Sequence, residues 1–422
     1  MSVSINCVDM EFAPFELAAT VVASAVTRLN SELVSLSTAV GRVVAEDIVA
    51  EEDLVPYARS AMDGYALRAA DTLGASPGSP LGLPVVGKTF TGEGRSTLAA
   101  GTVLGITTGA AVPVNADAVI PHEQVAARDG MIFLDHAVAS GECIFPPAED
   151  VRRGEILLRR GSILRPGGIA LLAFVGRPEL AVYRRPMVSL LCTGSELVDV
   201  TESPQCGQIR NSNAYSLTAL LSECGAEVRY CGTVSDNAGE LGSALEAARE
   251  GADLLIMTGG ASVGERDLIK PVLEEMGAEF EFRWVAMRPG KPFAFGRWRG
   301  VPVCALPGNP AAAFVSYHEL VRPAVLRMAG REHVELPTVR ATLAGRARSK
   351  SGSRYFLFGH LTITRFGFLV EPLENQCSAL VRNPATANAL IVVPEGPAVY
   401  ESGDRVTVQV LDWESVAREN FS

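Results

Sequence analysis

Histidine is scarce in this 422-residue chain: there are five, and none stands in an HExxH pair. That argues against zincin chemistry. The eight cysteines are scattered, with no CxxC pair and no zinc spacing, as expected of a reduced, cytoplasmic compartment. Several, such as Cys192 and Cys304, sit in apolar runs and read as small core residues. The opening MSVSINCVDMEF lacks the basic start and apolar run of a signal peptide. No uninterrupted apolar run reaches about 18 residues, so no membrane span is expected. Positive charge is in short supply, with a net charge of −11 and a pI near 5.1. A general nucleic-acid binder is therefore disfavoured. A small anionic ligand is still compatible, because local charge in a cleft matters more than the total.

What is present describes a soluble globular protein: 48% hydrophobic and 20% charged residues. The length suggests two to four domains. The organising stretch runs from Gly251 to Leu273, GADLLIMTGGASVGERDLIKPVL. Asp253 to Met257 is long enough for one buried strand. A loop of small residues follows, with Gly259, Gly260, Ser262 and Gly264, and Asp267 then opens a helix expected to reach Met276. Strand, small-residue loop and helix N-terminus together suit a phosphate-like anion. The stretch is neither a P-loop nor a GxGxxG loop. Asp267 reads equally well as a plain helix cap or as a carboxylate holding a divalent cation beside phosphate.

Helical spacing is expected over residues 12–30 and again over 36–48. From Leu83 to Leu134 short strands alternate with glycines, an all-β unit. From Pro186 onward strands alternate with helices, which argues for a mostly parallel α/β sheet. Asn211–Asn213 read as cap residues, and Asn309-Pro310 as the start of a helix to Met328. Residues 331–422 read as a separate small barrel or sandwich. The expected division is an elongated domain from 1–48 and 140–180, an inserted β domain at 49–139, an α/β domain at 181–330 and a C-terminal β-barrel at 331–422. Within the α/β part, Glu196, Asp236 and Asp267 each follow the C-terminal end of a separate strand, the edge where open α/β sheets bind ligands. Each alone reads as a surface group; three at equivalent places point to function. Lys270, Arg288, Lys291 and Arg210 form the positive complement, with Arg288 and Lys291 on a proline-braced loop.

Six motifs in order then make the chain resemble the molybdopterin molybdenumtransferases, the MoeA and gephyrin E-domain family. They are Ser60-Ala61-Met62-Asp63-Gly64-Tyr65-Ala66, Thr108-Gly109-Ala110, Thr193-Gly194-Ser195-Glu196-Leu197, Thr258-Gly259-Gly260 with Ser262-Val263-Gly264 and Asp267, Pro289-Gly290-Lys291-Pro292-Phe293-Ala294-Phe295-Gly296, and Leu306-Pro307-Gly308-Asn309-Pro310. The resemblance spans nearly the whole chain. It implies a four-domain elongated chain: a three-layer α/β molybdopterin-binding domain, an inserted β domain, an elongated linker domain and a C-terminal β-barrel. It also implies a homodimer, and Mg²⁺-dependent insertion of molybdate into adenylylated molybdopterin with release of AMP.

By the same resemblance Glu196, Asp236 and Asp267 are functional acids and metal ligands. Asp63, Thr108 and Asp150 are catalytic residues contributed partly from the other subunit. Lys270, Arg288, Lys291, Pro307, Gly308, Pro310 and Ser378 bind substrate along with the small-residue loop. The molybdopterin adenylyltransferase and recipient molybdoenzymes are the further partners it points to. The chain departs from the family pattern at Phe145-Pro146-Pro147-Ala148 before Glu149-Asp150, at Arg288 for a lysine, at Phe358 for an arginine, and at Cys377 before Ser378. Those losses of basic character leave a catalytically altered paralogue or a scaffolding protein of the same fold as an alternative. A nucleotide-processing hydrolase of the competence-damage type is the other, disfavoured by Asp63, Thr108 and the C-terminal β domain. Which loop holds pterin and which nucleotide, and whether molybdate or tungstate is preferred, are left open at this level.

Overall fold

A computed structural model describes residues 10–259, 268–350 and 352–418. The chain divides into two compact units. Asp47–Arg159 with Ala170–Pro178 form one, and Met1–Glu46, Arg160–Ile169 and Glu179–Ser422 form the other.

The smaller unit is built on a six-stranded sheet, ordered Ala118–Pro121, Gly64–Leu67, Val103–Ile106, Leu81–Thr89, Met131–Leu134 and Ala126–Arg128. Its core gathers Leu67, Val103, Ile120, Ile132 and Leu134. Gly64 is required there, since a Cβ would stand 2.0 Å from the Ile120 carbonyl oxygen.

The larger unit holds a seven-stranded sheet in the order Met10–Ala13, Glu279–Val285, Ala294–Trp298, Val301–Leu306, Leu254–Thr258, Met187–Thr193 and Glu227–Val234. The last four are mutually parallel. All five residues of Leu254–Thr258 are buried, as expected of a parallel strand covered on both faces. Side chains alternate between two cores. Leu190, Ile256 and Cys304 join one, with Leu217, Leu221 and Val315 from the helices over that face. Leu191, Met257 and Ala305 join the other, with Leu241, Leu245 and Leu273. The helix Ser212–Glu223 starts where Asn211 Oδ1 accepts from Ala214 N, and Ala238–Arg249 where Asn237 Oδ1 accepts from Gly239 N and Glu240 N.

The helix that begins at Pro310 reaches Met328 through one π turn, Tyr317–Val321. Pro323 explains it: proline lacks the N–H and would press on the carbonyl of Glu319 in regular α geometry. Beyond it, Arg354–Thr364, Gly367–Pro372, Thr338–Leu343, Arg405–Val410 and Ala389–Val393 pair in turn, and the last pairs back to the first. Those five strands close the expected C-terminal barrel around Leu343, Leu361, Val370, Ile391 and Val408.

Two helical expectations fail. Residues 12–30 hold a helix only over Phe15–Ser24, because Met10–Ala13 is drawn into the sheet as the parallel partner of Glu279–Val285. Residues 36–48 form a single 3₁₀ turn, Leu36–Thr38. Their backbone instead pairs with the segment around Leu164: Gly41 N donates to Leu164 O (2.8 Å) and Val44 N to Ser162 O (2.9 Å). Among the described residues no helix is long and apolar enough to cross a membrane.

Candidate active site at the sheet edge

The strands Glu227–Val234, Met187–Thr193, Leu254–Thr258 and Val301–Leu306 all end on one edge of the sheet. The chain leaves Met187–Thr193 toward one neighbour, Glu227–Val234, and returns on its other side as Leu254–Thr258. A crevice opens where the order reverses. At that point Gly259, with φ +98°, comes so close to the neighbouring strand that a Cβ would lie 2.0 Å from the Thr193 carbonyl oxygen. Gly308 abuts it, its would-be Cβ 3.4 Å from Gly259 Cα. Three loops thus converge with no side chain between them.

Two cavities meet here. One, of about 480 Å³, is lined by residues that include Thr193, Glu196, Arg210, Asn213, Gly259 and Pro310. The other, of about 790 Å³, is lined by residues that include Arg288, Lys291, Arg346, Arg348, Tyr355 and Ser378. Both share Pro292, Pro307 and Asn309. A strand-end region carrying Glu196 and Arg210 therefore runs into a more basic one along the proline loop.

The anticipated residues fall as follows. Glu196 is exposed on the loop after Met187–Thr193. Asp236 ties its own loop to that one: Oδ2 accepts from Ser195 N (3.3 Å) and Ser195 Oγ (3.2 Å), and Asp236 N donates to Ser195 Oγ (3.1 Å). Ser378 is docked on the proline loop, its hydroxyl accepting from Asn309 Nδ2 (3.1 Å) and its carbonyl from Ala311 N (3.1 Å). Lys291 reaches over the rings of Phe12 and Trp284, at 5.5 and 5.7 Å. Arg288 lies 5.9 Å from the Tyr355 ring. Lys270 is 8% exposed, stands 4.5 Å over the Trp284 ring and lines neither of these two cavities. Gly260, Ser262, Gly264 and Asp267 lie outside the described residues.

In the smaller unit, Asp63 Oδ1 accepts from Thr108 N (2.6 Å) and Thr108 Oγ1 (2.9 Å). Those two bonds, the backbone one foremost, hold the Asp63 carboxyl below its ordinary range. Asp63 is thus kept ionised and aimed. Replacing Thr108 with valine removes one of the two donors, and an NMR titration should show the Asp63 pKa rising toward the ordinary aspartate value. An unmoved titration would reject the assigned cause. Asp150 is exposed on a bend and has no bond to that pair among the described contacts.

Among the described residues no group of three or more His, Cys, Asp or Glu stands together as a metal set. The oxygen donors Glu196 and Asp236 nevertheless suit a hard cation that keeps water and takes phosphate oxygens. Sequence reasoning misses Asn213, read only as part of a cap, and Arg346, Arg348 and Tyr355 of the barrel. Their only signal is position in space. Phe358, where the resemblance leads one to expect arginine, is buried against Phe314, ring centroids 6.1 Å apart.

Three family patterns match the chain: the MoeA N-terminal region (domains I and II) over residues 13–176, a probable molybdopterin binding domain over 189–327, and the MoeA C-terminal region (domain IV) over 340–411. A molybdopterin molybdenumtransferase of Haemophilus influenzae is 35% identical over 384 residues, 90% of this chain and 94% of that protein. One from Bacillus subtilis is 34% identical over 387 residues, 90% of each chain. Two structures of molybdopterin biosynthesis MoeA protein from Pyrococcus horikoshii superpose with TM-score 0.83 at 33% and 28% identity. They cover 95% and 94% of this chain, and 99% and 100% of their own. The chain belongs to the molybdopterin molybdenumtransferase family, enzymes of molybdenum cofactor biosynthesis.

Proposed function

We propose that the crevice binds adenylylated molybdopterin and molybdate, and that the enzyme inserts the metal with release of AMP in a Mg²⁺-dependent step. The observation that carries this is the run of one cavity into the other through Pro292, Pro307 and Asn309. It sets the Glu196 carboxylate and the cations Arg210, Arg288 and Lys291 along one binding path. Glu196 and Asp236, joined by Asp267 as the family resemblance implies, would hold Mg²⁺, which when bound lowers the charge on the phosphate bond being broken. Lys291, Arg288 and Ser378 supply charge-assisted and neutral hydrogen bonds to the anions. The four-part domain division, a homodimer and a cytoplasmic location belong to the same reading.

Purified enzyme given adenylylated molybdopterin, Mg²⁺ and molybdate or tungstate should release AMP, and should stop when Mg²⁺ is chelated. No release with either oxyanion overturns the reading in favour of a binding protein of the same fold. Lys291→Ala should weaken ligand binding by roughly 1.5–3 kcal/mol, the scale of a hydrogen bond to a charged group. Calorimetry showing unchanged affinity for both substrates would reject its role.

A further inference from the structure

In the barrel, the strand Arg354–Thr364 loses one neighbour before the other. Its pairing with Gly367–Pro372 stops at Gly359, opposite Pro372. Its pairing with Ala389–Val393 continues as far as Tyr355. Pro372 brings no N–H to the ladder, and beyond it a side chain takes over. Gln376 Oε1 accepts from Phe358 N (2.9 Å), and Gln376 Nε2 donates to Phe358 O (2.9 Å) and to Leu373 O (2.8 Å). One side-chain amide thus stands where a peptide group would. Its orientation is fixed, since turning it over would set Oε1 against two carbonyls.

That clasp fixes one end of a short strap, residues 373–380. The other end is fixed on the proline loop, where Ser378 Oγ accepts from Asn309 Nδ2 (3.1 Å) and Ser378 O from Ala311 N (3.1 Å). Between the two, Cys377 N donates to Asn375 Oδ1 (3.0 Å), and Asn375 O accepts from Nδ2 of the buried Asn383 (2.8 Å). Gln376 and Ser378 are half-buried, and both line the cavity of about 790 Å³ along with Arg288 and Lys291. With Asn309 as donor, the Ser378 hydroxyl keeps its own hydrogen for a ligand in that cavity. Glu371 and Glu374 line the same cavity, so the placing of each donor matters to an anion. Only about 7 Å of chain separates Gln376 from Ser378. The clasp therefore sets where the hydroxyl stands.

We propose that Gln376 is a positioning residue for the oxyanion substrate: it clasps the strap to the barrel so that the Ser378 hydroxyl is held ready to donate to the anion. This rests on the proposed function, in which Ser378 is a substrate ligand. A merely structural role makes a different forecast. If Gln376 only finishes the sheet, its loss lowers the melting temperature, leaves the affinity of the folded protein alone and is independent of Ser378.

The test measures calorimetric affinity for molybdate alone, and melting temperature, in the full chain as wild type, Gln376→Met, Ser378→Ala and the double variant. Methionine keeps the length and adds no charge, but it has no N–H and only a weak acceptor. Each single variant should bind molybdate about tenfold more weakly than wild type, the lower end for a lost hydrogen bond to a charged group. The double variant should bind no more weakly than Ser378→Ala, because the clasp acts through that hydroxyl. If Gln376→Met does not fold, Gln376→Ala, which lets water reach Phe358 N, takes its place. A Gln376 variant that binds as the wild type does, or losses that add in the double variant, overturns the positioning role. A Ser378→Ala protein with unchanged affinity overturns the role of Ser378, and the strap's with it. A wild type that binds no molybdate overturns the reading of the crevice itself.

Discussion

Gly259→Ala should destabilise the larger unit by about 3 kcal/mol or more and remove ligand binding with it. Two effects add. The backbone at φ +98° disfavours any L side chain, and the new methyl would lie 2.0 Å from the Thr193 carbonyl oxygen. Backbone cannot swing aside as a flexible side chain can, so the strand ends must part. Gly251→Ala separates the two effects. Gly251 also has positive φ, at +69°, but nothing lies within 4 Å of its would-be Cβ. It should cost about 1 kcal/mol, the conformational part alone. Urea denaturation of both variants measures the difference. Equal losses would show that the loops at the crevice have room to separate.

Glu319→Gln should make the protein more stable at pH 8 by roughly 3 kcal/mol and change little at pH 4. Glu319 sits in the π turn, 9% exposed, with Oε2 accepting from Gln409 Nε2 at 3.2 Å and Oε1 without a partner among the described residues. Burial pushes its carboxyl up to about 7 from an ordinary 4.5, against smaller downward pulls from Gln409, Arg354 and Arg322. Below 4.5 both folded and unfolded chains hold the proton. Between the two values the folded chain holds it and the unfolded chain does not, so stability falls as pH rises. Above about 7 the full cost of a buried carboxylate remains. Glutamine carries no charge, and its amide can donate to Gln409 Oε1, which also lacks a partner among the described residues. His318 acts in the opposite sense: burial pushes its imidazole down to about 3, so its contribution is lost as pH falls below 6.5. It is common to both proteins and cancels in the difference. Unfolding curves that stay parallel from pH 4 to pH 8 would exclude Glu319 as the source of the slope.

Local pattern carried a good deal of this structure. The buried run Leu254–Thr258 and the cap Asn211 are visible because strand burial and capping are decided by neighbours in sequence. Glu196 and Asp236 could be placed at strand ends for the same reason. The failures have a common cause in distant partners. Residues 36–48 have helical spacing, yet the backbone around Leu164 offers them hydrogen bonds that a helix cannot better. Met10–Ala13 is claimed by Glu279–Val285. Barrel closure depends on Arg354–Thr364 meeting Ala389–Val393, a pairing that no short pattern announces. Asn213 shows the limit most plainly. Its spacing says cap, and only the positions of Gly308 and Thr258 show which way its amide faces.

The strand Met10–Ala13 carries a consequence for the order in which the protein is made. Its partner, reached through Met10 opposite Phe282 and Ala13 opposite Val285, leaves the ribosome on the order of ten to fifty seconds later at ordinary synthesis rates. The helix beside it waits longer still, because Glu16 pairs with Arg354 at 2.7 Å and the Arg354 guanidinium covers the Phe15 ring at 4.6 Å. During that interval a segment with an open strand edge has no native partner, while the whole smaller unit is being synthesised. Nascent chains halted after residue 250 should therefore present residues 10–24 to proteases and holdase chaperones, and chains halted after residue 400 should not.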